Sequence, residues 1–527
     1  MTSTALRHDP DGSSADAVDP EAVNESGGLW SGAAVGVASG LAALGSAELL
    51  AGLSRDFSSP VTEVGNRVID LAPPWLKTFA IENFGTNDKP ILIGTVLAAL
   101  VIVAALLGIL ARRRHLAAAV GVSLFGVLGA IAAWTGVKGT ISAIPSLVGG
   151  GVGAGALLFL TRPAGPMMAA SAPDSRRAFL RDLGAVTALG AVGAVGGRWL
   201  RTRFEVAHER AKLLLPSAKR PLAPLDTTIE AGVDGATPFI TPNANFYRID
   251  TALEVPQVSL ADWKLAITGM VDSEQSLTFD DLSGMDLVEA DITLTCVSNE
   301  VGGQLAGTAR WLGVPLSTLL DRAGLDPDAD QIVGRSVDGY TCGFPVDSVS
   351  DGRNALVAIG MNGEPLPVEH GFPARLIVAG LYGFVSATKW LTELEITRFD
   401  KFDQYWVPRG WSARGPIKTF SRIDTPRALV ATPAGRVAVA GVAWAQTRGI
   451  DRVEVRVDDG PWQDAELKPV PNDETWRQWV LPMDLDPGSY SVSCRATDRT
   501  GQVQTEERVA PRPDGATGWH SVVVLVK

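Results

Sequence analysis

Cysteine is scarce in this chain of 527 residues: Cys296, Cys342 and Cys494 are all it has. Three thiols cannot all pair, so no disulfide framework supports the fold. Cys494 alternates within Ser491-Val492-Ser493-Cys494-Arg495-Ala496 like a buried strand residue, and Cys342 suits either a core or a pocket wall. Neither has a metal-site partner at close spacing, which leaves Cys296 as the candidate ligand. Histidine is nearly as scarce. Of five, only His115 lies near a long apolar run, beside an arginine cluster at its end. Bis-histidine haem inside membrane helices is thereby excluded. Positive charge is also short, 46 Lys and Arg against 58 Asp and Glu, for a net charge of −12. Nucleic acid would demand a basic face, so it is not the partner.

What is present divides the chain. Residues 1–27 are acidic, with Ser, Gly and Pro, and read as a disordered tail. Residues 28–202 read as a membrane region, with apolar stretches at Leu29–Leu53, Pro90–Ala111, Leu116–Val137, Ile141–Leu160 and Leu183–Leu200. Each approaches the roughly 20 residues that cross a bilayer, so five spans are expected. Arg112, Arg113 and Arg114 punctuate spans two and three, and Arg162, Arg176, Arg177 and Arg181 lie between spans four and five. Placing both clusters in the cytoplasm puts the N-terminus inside and everything after Leu200 outside. Ser175-Arg176-Arg177-Ala178-Phe179-Leu180 before an apolar run also resembles an internal twin-arginine export signal. Glu48 is the one acidic residue well inside a span, near its outer end. The small residues of Gly149-Gly150-Gly151-Val152-Gly153-Ala154-Gly155 point to close helix packing.

A charged, helix-like connector at 203–236 leads to residues 237–420, where short β-rich runs mix with helical pieces such as Leu316–Ala323 in an α+β pattern. From 421 to 527 strands recur at short spacing between Gly, Pro, Asp and Asn turns, as in an immunoglobulin-like β-sandwich.

Cys296 lies in Thr293-Leu294-Thr295-Cys296-Val297-Ser298-Asn299, at the end of a β-branched run. A thiolate at a strand mouth is a soft ligand for a soft metal. Three further motifs accompany it. Thr241-Pro242-Asn243-Ala244-Asn245-Phe246-Tyr247-Arg248 precedes it. Met361-Asn362-Gly363-Glu364-Pro365 and His370-Gly371-Phe372-Pro373-Ala374-Arg375 follow, and then Ser386-Ala387-Thr388-Lys389-Trp390-Leu391. Together, from about Phe239 to the C-terminus, they resemble the sulfite oxidase family of molybdopterin enzymes.

The resemblance implies an α+β molybdopterin domain followed by a sandwich through which members often dimerise. It implies Cys296 as the molybdenum ligand. Asn245, Tyr247, Arg248, Asn299, Ser336, His370, Arg375, Ser386, Thr388 and Lys389 become cofactor contacts. Arg248, Tyr340 and Arg477 join Cys296 as catalytic candidates, Arg477 by reaching back from the sandwich to the substrate pocket. Two positions depart from the family. Glu300-Val301 replaces the arginine pair of sulfite-oxidising members, and Trp411 falls where they carry a catalytic tyrosine, leaving Tyr405 and Tyr340 as substitutes. The expectation is a membrane-anchored, outward-facing oxidoreductase transferring an oxo group to or from a small sulfur compound, with a separate electron carrier. Sulfoxide or N-oxide reduction is the alternative direction, and a non-catalytic binding protein on this fold is the rival class.

Overall fold

The computed structural model describes residues 20–73, 76, 79, 83–84, 88–136, 139–162 and 173–527. Most of the expected acidic tail lies outside the described residues. The chain divides into two compact units, Met1–Phe204 and Glu205–Lys527.

The first unit is helical: α1 (Pro20–Ala51), α2 (Pro60–Leu71), α3 (Asp88–Trp134), α4 (Ile144–Thr161) and α5 (Pro173–Thr202). Four helices among the described residues are long and apolar enough to cross a membrane; α2 lies between the first two. At 47 residues, α3 would measure about 70 Å if straight, more than twice a bilayer's hydrocarbon core. It is not straight. Arg114 leaves helical geometry (φ −141°, ψ 65°), and a Cβ on Gly121 would lie 2.7 Å from the Leu107 side chain. Fourteen residues of straight helix would hold those two about 21 Å apart, so α3 doubles back on itself. Its arms are the second and third expected spans.

Glycine sets the distances between helices. A Cβ on Gly45 of α1 would lie 1.9 Å from the Gly190 carbonyl oxygen of α5, and one on Gly36 would lie 1.9 Å from that of Ala104 in α3. Backbones this close tolerate no side chain. Glu48 is not left alone: it pairs with Arg201 at 3.2 Å and accepts from Ser59. Leu189, Val192, Val195 and Trp199 of α5 stay about 70 % exposed, an apolar flank suited to lipid.

The second unit begins with the connector, which packs down rather than hanging free. Val206 is buried, and from α6 (Ala207–Lys212) Arg210 donates to the Pro365 and Leu366 carbonyls. The region that follows is richer in strand than the expected α+β mixture. One sheet runs β2-β1-β10-β5-β6, from β1 (Lys264–Gly269), β2 (Gln275–Thr278), β5 (Gln331–Ser336), β6 (Thr341–Pro345) and β10 (Leu391–Thr397). The other runs β3-β4-β7-β8, from β3 (Val288–Thr295), β4 (Ala306–Pro315), β7 (Ala355–Met361) and β8 (Glu364–Pro365), with β9 (Arg375–Val378) also on β7. Helix is confined to short pieces. α7 (Leu316–Ala323) forms because Leu316, Leu319, Leu320 and Ala323 share one buried face.

The C-terminal residues build two further sheets. One holds β11 (Phe420–Thr425), β13 (Gly435–Trp444), β16 (Glu466–Leu467) and β17 (Arg477–Leu485). The other holds β12 (Ala431–Thr432), β14 (Ile450–Val457), β15 (Gln463–Asp464), β18 (Gly488–Asp498) and β19 (His520–Val526). Val439, Val453, Trp479, Val492 and Val524 fill the core between them. The expected boundary at 420/421 does not separate cores: Phe420, Trp444 and Trp476 pack with Trp263, Phe344 and Leu376.

Candidate molybdopterin site

β3 delivers Cys296 to its site. The strand pairs with β4 in antiparallel register from Val288↔Gly313 to Thr295↔Ala306, and Cys296 is the next residue. The loop that follows is tied to itself. Cys296 N donates to Leu305 O at 2.9 Å, Asn299 N to Cys296 O at 3.0 Å, and Leu305 N to Asn299 Oδ1 at 2.8 Å. Asn299 is therefore a brace for the loop. The Cys296 thiol is only partly buried by residue surface, yet it sits deep enough that desolvation raises its pKa, against a 2.9 Å contact with Ser298 Oγ that lowers it. Tyr247, Tyr340 and Tyr382 lie within its electrostatic reach; burial first, and a thiolate at Cys296 second or later, raises all three phenols.

On the other side of Tyr247, which feels both Cys296 and Arg375, lies a cluster of buried positive charge. Arg375 is 5 % exposed, donates through Nη1 to the His370 carbonyl at 3.1 Å, and lies 5.1 Å over the Trp311 ring. Its Nε has no hydrogen-bond partner among the described residues, and desolvation lowers its pKa to about 10. Lys389 donates to Asp250 at 2.8 Å and to the Glu369 carbonyl, and burial lowers it to about 8. Arg248 is exposed and shares Asp250, also at 2.8 Å. One carboxylate thus serves two cations while a buried guanidinium waits unpaired. Such an excess of buried donors fits an anionic, phosphate-bearing group.

His370 is buried, lies edge-on to Phe246, and approaches the Asn243 carbonyl through Nε2 at 3.2 Å. Desolvation and then Arg375 hold its pKa down at about 4, so it is neutral at pH 7. A carbonyl only accepts, which assigns the proton to Nε2 and leaves Nδ1 as an acceptor.

Several expected residues stand elsewhere. Ser386 turns its hydroxyl onto the Leu381 and Tyr382 carbonyls, and Thr388 donates to Gly334 O and Cys342 Sγ, both fully buried. These two side chains serve the core. Ser336 is buried and accepts from Asp338 N. Asn245 is exposed, whereas Asn243 carries the interior bonds, to Met361 O and from Asn362. Arg477 does not reach back: it donates to the Lys468 and Ile450 carbonyls inside the C-terminal sheets. Strand alternation explains this, because its neighbour Trp476 faces the molybdopterin side, bonding Thr293 Oγ1 and Phe239 O. Arg512, in the loop between β18 and β19, donates to the Arg409 and Gly410 carbonyls. Those belong to a loop whose Tyr405, Trp406 and Trp411 stack in sequence; Tyr405 meets Tyr340, and Trp411 meets Phe384. Only Asp250 and Tyr382 had no sequence signal, since neither lies in a chemically typed motif.

The family profile described as "Oxidoreductase molybdopterin binding domain" matches residues 252–406. These residues are similar to a molybdopterin-binding oxidoreductase domain, which implies molybdenum-molybdopterin as the cofactor. The mouse mitochondrial sulfite oxidase (Mus musculus) is 29 % identical over 55 % of this chain and 62 % of its own length. An uncharacterised oxidoreductase of Bacillus subtilis, YuiH, is 29 % identical over 33 % of this chain and 87 % of its own. The chain therefore spans less than two thirds of the mouse enzyme it matches. Among solved structures, the sulfane dehydrogenase SoxCD from Paracoccus pantotrophus covers 57 % of this chain and 86 % of its own at 24 % identity, with a TM-score of 0.49.

Proposed function

We propose that the chain is a membrane-anchored molybdopterin oxidoreductase acting outside the cytoplasm on a small, uncharged sulfur compound. The single observation that carries this is Tyr247, which lies within electrostatic reach of both the strand-end thiol of Cys296 and the buried Arg375 guanidinium. Bound there, the molybdenum group supplies two-electron oxo transfer. The chain's own part is narrower. Cys296 gives up its proton and contributes the one protein ligand. Arg375 and Lys389 neutralise the cofactor's phosphate, with Arg248 at the rim. His370 offers its Nδ1 lone pair to a donor on the pterin edge. Tyr247 and Tyr340 remain protonated, Tyr340 donating its hydroxyl to the Phe384 carbonyl at 2.9 Å.

The substrate side is aromatic. Glu300 and Val301 replace an arginine pair, so nothing there attracts a dianion. Tyr340, Phe384, Tyr405, Trp406 and Trp411 form the nearby wall, which suits a methylated, polarizable sulfur. That wall favours a second direction of reaction: a sulfoxide, two protons and two electrons become a thioether and water. A separate electron carrier supplies or removes the electrons. The C-terminal sheets read as an immunoglobulin-like module through which two copies pair, and the Arg176-Arg177 motif as a twin-arginine export signal.

The test is the molybdenum and pterin content of detergent-purified protein from a host that makes and exports the cofactor. Near-stoichiometric molybdenum that disappears in Cys296→Ser, with membrane insertion retained, supports the reading. Metal retained by that variant overturns the ligand assignment. Parallel assays with sulfite and with a dialkyl sulfoxide then fix the direction.

A further inference from the structure

The C-terminal sheets grip the chain on both sides of Cys296. Ahead of it, Thr293 accepts from Trp476 N at 2.7 Å and from Gln446 Nε2 at 2.7 Å, and its own N–H donates to Glu474 O. Behind it, Arg422 of β11 reaches into the 297–305 loop. This arginine is 1 % exposed and uses all three nitrogens. Nε meets Asp424 at 2.6 Å, Nη1 meets the Gly303 carbonyl at 2.9 Å, and Nη2 meets Thr237 Oγ1 at 3.0 Å. Asp424 completes the ring by accepting from Thr237 N at 3.2 Å. Against the same loop, His520 of β19 packs so tightly that a Cβ on Gly302 would lie 2.3 Å from its Nε2. Its Nδ1 accepts from Ile423 N, which holds the ring in place.

These contacts converge on the cofactor site from two directions. Gly303 belongs to the loop that starts at Cys296 and closes at Leu305. Thr237 opens the segment that runs on to Asn243, Tyr247 and Arg248. We infer that Arg422 is a positioning residue for Cys296, fixing the thiol's loop and the first cofactor segment to one rigid point on the C-terminal sheets. A guanidinium is needed because its planar fork serves three partners in fixed directions, whereas an ammonium is a single point charge. The inference rests on Cys296 being the metal ligand, but its first readout does not need the metal.

That readout is the alkylation rate of Cys296 by iodoacetamide in the full-length, cofactor-free protein, followed by peptide mapping. Cys342 and Cys494 are fully buried and serve as internal controls. Arg448→Met is the comparison, because Arg448 makes a similar pair with buried Asp498 and bonds the Ile417 carbonyl without touching the loop. Arg422→Met is expected to raise the Cys296 rate about tenfold, as local opening of the loop would, while Arg448→Met leaves it unchanged. In protein purified with cofactor, Arg422→Met is expected to lower molybdenum content and shift the thiolate-to-metal absorption band, with Arg422→Lys restoring part of both. Equal alkylation rates in the two methionine variants, once matched for thermal stability, overturn the inference. If Arg422→Met does not fold, Thr237→Val removes one acceptor alone, and an unchanged rate there overturns it as well. Absent molybdenum in the unmodified protein would count against the proposed function and leave the alkylation result standing.

Discussion

At Arg375 the chain keeps a buried guanidinium whose Nε has no hydrogen-bond partner among the described residues. Such a charge is costly until an anion arrives, so the residue is stability given up for binding. Arg375→Met should leave the melting temperature of cofactor-free protein level or a few degrees higher, while molybdenum content collapses. Lys389 makes a pH prediction. Its pKa of about 8 without a ligand must rise when a phosphate binds beside it, so the bound form takes up a proton. Cofactor affinity should be full below pH 8 and fall as pH rises through it, by up to about tenfold per unit. Titration of apo-protein with the cofactor across pH 7–10 checks this. At this scale the sequence was informative wherever a residue type has few jobs: the structure brings His370, Arg375 and Lys389 together, and Tyr247 lies within reach of Cys296 and Arg375. Ser386, Thr388 and Arg477 sit in the same motifs, but their direction depends on strand alternation and core packing that a motif does not encode.

Elements carry a different lesson. β3 was legible from its β-branched run, and α7 from its apolar spacing. The connector's packing through Val206 and Arg210 was not, because a short charged stretch looks alike whether free or docked. The turn inside α3 was legible only as charge: Arg112–His115 contains no Gly or Pro, and arginine is a good helix former, so nothing marks where the helix breaks. The glycines of α4 were readable as packing residues, though not with their partners, and those of α1 and α5 pack as closely. Gly45→Leu should force those two helices apart and cost about 1–3 kcal/mol, seen as a lower unfolding midpoint in detergent.

The whole molecule is two units joined near Phe204, and residues 205–527 hold apolar cores of their own. A fragment starting at Glu205 should therefore fold in solution and load cofactor to the level of the full chain. Because Phe420, Trp444 and Trp476 share a core with the molybdopterin sheets, that fragment should melt in one calorimetric transition. The doubling back of α3 at Arg114 bears on the other unit through parity. Four crossings would return the chain to the side on which it started. If both arms of α3 cross, the turn makes a fifth crossing and the count becomes odd. The break at Arg114 thus sets whether α3 counts as one crossing or two, and with it the parity of the whole first unit. Reporter fusions after Ala51, Trp134 and Lys527 should then all give the same reading, whereas a single crossing by α3 would set Ala51 opposite to Trp134 and Lys527.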